Sequence, residues 1–549
     1  MCAMTDLLLG PLLRHVGRSH ATIWMELDRP ATVEVCIGPH RATAHTFAIV
    51  GHHYALVAVE GLEPGTTLPY EVHVEGRTVW PVAGSPFPPS VVRTLSDENS
   101  LRILMGSCRA AAPHEPPWTL EAGESSEGRG IDALRAHGLR MATTPPDTWP
   151  DLFVMVGDQV YADNASPHVR RRIAAHRSDD ANAEALDHAI VADFEEYTWL
   201  YRESWTLDVE RWVLSTVPSA MVFDDHDMID DWNISASWVR DTRGLPWWKE
   251  HVTGGLISYW IYQHLGNLSP DEIRAEGLLE RLTEVDDGEP ILREWARESE
   301  SFTPVPGGYR FSFFRDLGST RLVVIDCRNG RVLEPERRAM VDEQEWAWII
   351  EHACVPCEHL LLATSLPVFV PGGLHGLQTW NEAMCDGRWG RGIGWLSEKL
   401  RRALDLEDWP AFSRSLVAFV ALLEDVANGT GPAAGQSPPR TITVLSGDIH
   451  FSYRARVVLD RPGRSLIDQV VSSPIRNALA PRDRRVLRFA VSRVGRRVGT
   501  WLQRSVRVPD VPCHWDLVEG PLFHNGMAEL RLGRGAATLV FEKAKPPDE

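Results

Sequence analysis

Four short apolar runs in this 549-residue chain each stop at residues that can bind metal ions. Leu101–Met105 leads into Gly106-Ser107-Cys108-Arg109, and Leu152–Val156 leads into Gly157-Asp158-Gln159-Val160-Tyr161-Ala162-Asp163. Ala220–Phe223 leads into Asp224-Asp225-His226-Asp227, and the run Thr441–Leu445 into Ser446-Gly447-Asp448-Ile449-His450. Thiolate, phenolate, carboxylate and imidazole are the donors of transition-metal and hard-cation sites. Singly, each residue has an ordinary role: Cys108 as a small buried hydrophobe, Asp158 as a helix cap, Tyr161 and His450 as packed rings, Asp224–Asp227 as a solvated turn. Together they would crowd like charges where buried strands stop, which is costly without a cation. The chemistry this favours is cation binding, and through it metal-assisted hydrolysis.

Open sheets place ligands beyond the carboxyl ends of their strands. The four runs, with Leu322–Ile325 and Leu360–Ala363, read as strands buried on both faces. Helix-like segments at His188–Ser215, Met340–His352 and Trp409–Val426 lie between them, so residues 96–549 form a layered α+β domain. Residues 164–300 read as a mainly helical insertion. It holds eight of the 21 tryptophans between Trp199 and Trp260, a density that suits a core better than a substrate wall. Residues 1–95 carry short strands at His20–Glu26, Ala31–Ile37, Ala42–Val50 and Tyr54–Val59, the pattern of a β-sandwich. The stretch Gly61 to Tyr70 with Glu71-Val72-His73-Val74 resembles the corner of fibronectin type III domains, where a tyrosine hydroxyl locks its own turn. Pro81–Pro89 is then the linker. Within 480–545, an Arg-rich segment precedes a closing hairpin, Met527–Leu532 and Ala537–Glu542 around Gly533-Arg534-Gly535.

The four strand-end motifs in combination resemble those of the PhoD-like alkaline phosphatase and phosphodiesterase family, within the calcineurin-like metallophosphoesterases. Ile325-Asp326-Cys327-Arg328, Glu345-Trp346 and Ser472-Ser473-Pro474-Ile475-Arg476-Asn477 extend the likeness over residues 100–545. It implies an αββα-type sandwich behind a fibronectin-like domain. It implies an iron site at Cys108, Asp158, Tyr161 and His450, ferric because thiolate and phenolate are anionic donors. Asp158 would bridge to a calcium held by Asp225 and Asp448, with Asp230 and Asn233 as further ligands; other divalent metals suit the same donors. The implied reaction is hydrolysis of a small phosphomonoester or phosphodiester by a metal-bound hydroxide. His226 would act as general acid or stabilise the transition state, oriented by Asp227. Arg109 would grip a phosphate oxygen, with an ordinary ion pair as the equal alternative. The chain departs from the wider superfamily at Leu360 to Ser365, which ends without the usual histidine, and it lacks the family's twin-arginine export signal.

Two readings from other classes compete: a non-catalytic metal-binding scaffold or interaction protein, and iron-dependent redox chemistry. The full ligand set weighs against the first and the carboxylate-rich second site against the second. A formal charge of −19 argues against a surface that wraps nucleic acid. No run approaches the roughly 20 apolar residues of a membrane span, and Met1–Gly10 lacks a basic leader, so a cytoplasmic protein is expected. Eight scattered cysteines form no disulfide framework, and Cys354 and Cys357 lack the second pair of a zinc site. Between Arg482 and Arg507, arginines interleave with Val486, Leu487, Phe489, Val494, Val498, Trp501 and Leu502. Such a segment can lie on anionic lipid, but it reads first as a helix packed on its own domain, weakened by Gly495 and Gly499. Oligomeric state is not legible.

Overall fold

The computed structural model describes residues 5–96, 100–177, 187–300, 309–335 and 337–546. The first nine strands are β1 (Leu7–Val16), β2 (His20–Leu27), β3 (Thr32–Ile37), β4 (His40–His45), β5 (Phe47–Ile49), β6 (His52–Glu60), β7 (Thr67–Val74), β8 (Arg77–Trp80) and β9 (Val91–Arg93). They form two antiparallel sheets, ordered β1-β2-β6-β5 and β4-β3-β7-β8, with β9 on β7. Strand periodicity explains how this unit meets the rest of the chain. Along β2, Ile23 and Met25 enter the sandwich core, whereas Trp24 and Glu26 point the other way and are equally buried. Trp24 packs on Tyr262 with ring centroids 5.2 Å apart, and Arg202 pairs with Glu26 at 2.7 Å. A strand covered on both faces reads as a continuous apolar run.

Two expectations for this region are corrected. Tyr70 does not lock its own turn; its hydroxyl donates to the carbonyl of Ser215 at 2.7 Å, tying the sandwich to the following domain. Pro81–Pro89 is not the linker, because β9 follows it and pairs with β7. Trp212 anchors that stretch by donating to the Pro88 carbonyl at 2.8 Å. The chain leaves the sandwich after Arg93, and residues 97–99 lie outside the described residues.

Twelve more strands follow: β10 (Leu101–Gly106), β11 (Leu152–Val156), β12 (Ser219–Val222), β13 (Phe313–Leu317), β14 (Thr320–Ile325), β15 (His359–Thr364), β16 (Thr441–Ser446), β17 (Ser452–Leu459), β18 (Leu466–Val471), β19 (Cys513–Leu522), β20 (Gly526–Gly533) and β21 (Ala536–Lys543). One sheet runs β12-β11-β10-β20-β21 and the other β13-β14-β15-β16-β18-β17-β19. β12, β11 and β10 run parallel in the first sheet and β14, β15, β16 and β18 in the second, so these strands need burial on both faces, and their apolar residues share one core. Registers Met105↔Val154 and Met155↔Met221 align the carboxyl ends of β10, β11 and β12. Ser472, after β18, donates its hydroxyl to the Met105 carbonyl at 3.1 Å, and Ser107 donates to the Ser472 carbonyl at 3.2 Å. The carboxyl ends of both sheets thus converge.

Residues 164–300 are not one insertion, because β12 and the Asp224–Asp227 turn divide two helical stretches. The expected His188–Ser215 helix is two, Phe194–Trp205 and Asp208–Thr216, separated where Leu207 turns extended at ψ 140°. Seven of the eight tryptophans there are buried and Trp247 is partly so, which makes them core. Cys354 and Cys357 are free thiols whose pKa burial pushes up to about 11. The Arg-rich segment forms two helices, Pro481–Val491 and Arg493–Val506. Gly495 and Gly499, poor helix formers, are what allow the second to cross helix Gly372–Cys385: a Cβ on Gly499 would lie 2.9 Å from Gly373 Cα. Among the described residues no helix is long and apolar enough to cross a membrane.

Candidate metal centre

The turns that end β10, β11 and β16 are strained in the same way. Cys108, Asp158, Asp448 and His450 have φ of 55°, 32°, 64° and 56°, a region costly for residues with a Cβ and concentrated at functional sites. Mutual backbone bonds hold them: Arg109 N–H donates to the Asp158 carbonyl at 3.1 Å, and Arg476 N–H to the Cys108 carbonyl at 3.2 Å. Two glycines are required beside them. Gly157 has φ 111°, and a Cβ on Gly447 would overlap Ser107 Oγ at 2.2 Å.

This framework gathers two groups of donor atoms. Those of Cys108, Asp158 and His450 lie within 4.8 Å of one another, as do those of Asp158, Asp225 and Asp448. Asp158 belongs to both. Its Oδ2 accepts from the Tyr161 hydroxyl at 3.2 Å, whereas its Oδ1 is buried without a hydrogen-bond partner. Asn477 completes the first group, donating from Nδ2 to Tyr161 Oη at 2.9 Å and accepting from His450 Nδ1 at 3.1 Å. That bond leaves His450 Nε2 as the free acceptor. Burial, with His226 nearby, lowers the His450 pKa to about 4, so the ring is a neutral donor.

Electrostatics argue that the donors fit a cation. Burial, then Asp158 and Asp448, raises the Cys108 pKa well above the ordinary thiol value. Burial raises Asp158 and Asp448 well above the carboxylate range, reinforced by Asp224 and Asp225. A positive ion among these groups would offset the mutual repulsion and favour their anionic forms.

Several expected roles change. His226 is oriented by Asp163, whose carboxylate meets Nδ1 at 2.9 Å, not by Asp227. Asp227 is spent on structure: it accepts from the backbones of Gln159, Val160 and Asp224 and from Gln263. Arg109 does not face the donors. It is buried and bonded to Asp132, Glu210 and the Ser204 carbonyl, so nothing remains of it for a phosphate. Asp230 groups with Asp225 and His226, in neither of the two donor groups that hold Asp158, and its carboxylate is mostly exposed. Asn233 is buried, donates to the Arg328 carbonyl at 3.0 Å, and leaves Oδ1 without a partner.

Arg328 stands in the Ile325-Asp326-Cys327-Arg328 motif, to which the sequence alone assigns no role. Its buried guanidinium pairs with Asp224, with Asp225 at 3.0 Å and with Glu407 at 2.6 Å, and lies 4.0 Å from Asp448. It neutralises part of the second donor group only. The signal was its place just beyond β14, at the carboxyl edge of the sheet whose β16 leads into Asp448 and His450. Beside Tyr161 and Asn477 opens a cleft of about 270 Å³ lined by Arg129, Arg170, Asn164 and Glu203. Arg129 forms no ion pair among the described residues; it donates to the Gly128 carbonyl at 3.2 Å.

The comparisons with known proteins agree with this architecture. Residues 4–92, the sandwich, match a family described as a domain of unknown function, DUF7800. No curated protein matches the chain. A solved structure of PhoD superposes with a TM-score of 0.57 at 12% identity, covering 98% of this chain and 89% of that one. The chain therefore shares the fold of that PhoD structure. Purple acid phosphatase PPD1 from yellow lupin (Lupinus luteus) seeds aligns with a TM-score of 0.47 at 10% identity, covering 97% and 71% of the two chains.

Proposed function

We propose that this protein is a metal-dependent phosphoester hydrolase with a dinuclear centre. The observation that carries the reading is Asp158, one buried carboxylate common to two donor groups, with an unpartnered oxygen. Cys108, Asp158, Tyr161 and His450 would hold ferric iron, a cation suited to thiolate and phenolate. Asp158, Asp225, Asp448 and the Asn233 amide oxygen would hold calcium, which prefers oxygen. Two cations at such a site clamp phosphoryl oxygens and acidify water.

The chain's own residues supply the rest. His226, held by Asp163 and flanked by Tyr161 with ring centroids 4.7 Å apart, carries the proton for the departing oxygen. Arg129 and Arg170 receive the substrate's charge, the role first expected of Arg109. The N-terminal sandwich is a fibronectin-like module, buttressing the catalytic domain through Trp24, Glu26 and Tyr70.

The test is elemental analysis of protein purified without added metal, with hydrolysis of bis(p-nitrophenyl) phosphate and p-nitrophenyl phosphate by wild type and Asp158→Asn. Iron and a second metal, both lost with activity in the variant, support the proposal. Metals without turnover would favour the scaffold. Peroxide- or oxygen-dependent turnover would favour redox chemistry.

A further inference from the structure

The two Arg-rich helices are amphipathic in an inverted sense. Helix Arg493–Val506 turns Gly495, Gly499, Gln503 and Val506 inward against helix Gly372–Cys385. Val494, Val498 and Trp501, at i, i+4 and i+7, form a stripe that faces water, with Trp501 66% exposed. Helix Pro481–Val491 buries no residue and exposes Val486 and Phe489. The neighbouring helix Arg391–Ala403, also packed on Gly372–Cys385, exposes Trp395 and Leu396, each by more than half. Scattered exposed apolar residues are ordinary on a protein surface, but an aligned stripe with aromatic members marks an interaction site.

Charge identifies the partner. Residues 481–507 contain nine arginines and one carboxylate, Asp483, in a chain whose net charge is −19. Arg484 and Arg496 are neutralised by Glu121 and Asp516. Arg482, Arg485, Arg493, Arg497, Arg504 and Arg507 pair with no carboxylate among the described residues. Unpaired arginines beside a Trp- and Val-bearing stripe match an interface that is anionic at its surface and apolar a few ångströms beneath. A nucleic acid would use the arginines but offer nothing to the valines.

We propose that this face docks the protein on anionic phospholipid bilayers, both helices lying in the headgroup plane. The inference does not rest on the proposed hydrolysis. It has a consequence for access, since Pro481 begins the pair four residues after Asn477, which supports both Tyr161 and His450.

The experiment is co-sedimentation of the full chain with vesicles of phosphatidylcholine alone or of equal parts phosphatidylcholine and phosphatidylglycerol. The protein is expected to pellet with the anionic vesicles only, and less so as salt is raised. Two triple variants, Val494→Ser/Val498→Ser/Trp501→Ser and Arg485→Glu/Arg493→Glu/Arg497→Glu, should each weaken partitioning by roughly tenfold or more. All six side chains avoid the core, so unchanged thermal unfolding controls for folding. Absence of pelleting, or pelleting that both variants retain, would overturn the proposal. So would binding to duplex DNA without vesicle binding, or wild-type dimers that the apolar variant dissociates while neither form binds vesicles.

Discussion

The imidazole of His226 is held by Asp163, 63 residues earlier in the chain, with Nδ1 2.9 and 3.0 Å from its two carboxylate oxygens. The adjacent Asp227 cannot serve, because the short 3-10 turn Asp225–Asp227 sends its carboxylate back into backbone N–H groups. Burial opposes a charged imidazole, but Asp163, with Asp225 and Asp158 beyond it, holds the His226 pKa well above the ordinary histidine value.

The two aspartates should therefore separate experimentally. Asp163→Ala is expected to lower kcat by about 10- to 100-fold with KM little changed, as loss of an orienting carboxylate does. Asp227→Ala is expected to act on stability, since several buried N–H donors lose their acceptor, at a cost of about 3 kcal/mol or more. Kinetics on a phosphodiester and urea unfolding of both variants distinguish the two roles.

Metal stoichiometry should follow the shared carboxylate. Cys108→Ser is expected to lose the metal of the thiolate group alone, and Asp448→Asn that of the carboxylate group alone. Asp158→Asn should lose both. An Asp158→Asn protein that keeps one full equivalent in elemental analysis would refute a common bridging ligand.

Arg328→Met is expected to destabilise the fold by roughly 3–5 kcal/mol, because Asp224 would be left buried without a counter-charge and Asp225 would lose its guanidinium partner, whereas Glu407 keeps Arg331 at 2.9 Å. Arg328→Lys should recover little, since three carboxylates use separate corners of the guanidinium fork. Chemical denaturation of the metal-loaded protein measures both.

His52 couples the sandwich to the following domain and makes stability depend on pH. It lies 2.5 Å from Glu195 and 3.2 Å from Glu26, and although burial opposes its charge, those bonds raise its pKa from 6.5 to about 9. A raised folded-state pKa contributes stability that is complete below pH 6.5 and is lost as pH climbs through 9. The shift corresponds to roughly 3 kcal/mol. His52→Gln should flatten the fall in melting temperature across that window. An unchanged slope would assign the dependence to other groups.

Local sequence carried much of this architecture where one residue type has one use. Apolar runs marked six central strands, and the residues just beyond four of them include Cys108, Asp158, Asp225, Asp448 and His450, which the structure gathers. Strand direction puts each such residue at the carboxyl end of its strand, which is legible without coordinates, whereas the meeting of the two sheets that carry those ends is not. Partners were not. Asp163 stands in the same motif as Asp158, yet its role depends on where the Asp225–Asp227 turn aims His226. Arg109 and Arg328 both follow strands. Only the buried surroundings decide that one braces Asp132 and Glu210 while the other enters the donor cluster.

The same division holds away from the centre. Gly495 and Gly499 argued against a helix by propensity, and helix crossing at backbone contact reverses that argument. Tyr70 carries the signature of a self-locking corner, yet a carbonyl of the neighbouring domain lies closer to hand. By itself the sequence determined which residues end each strand, because side-chain alternation and apolar runs are local properties of the chain. Tertiary structure alone decided which charges face one another, because a buried ion takes whichever counter-charge packing brings within a few ångströms.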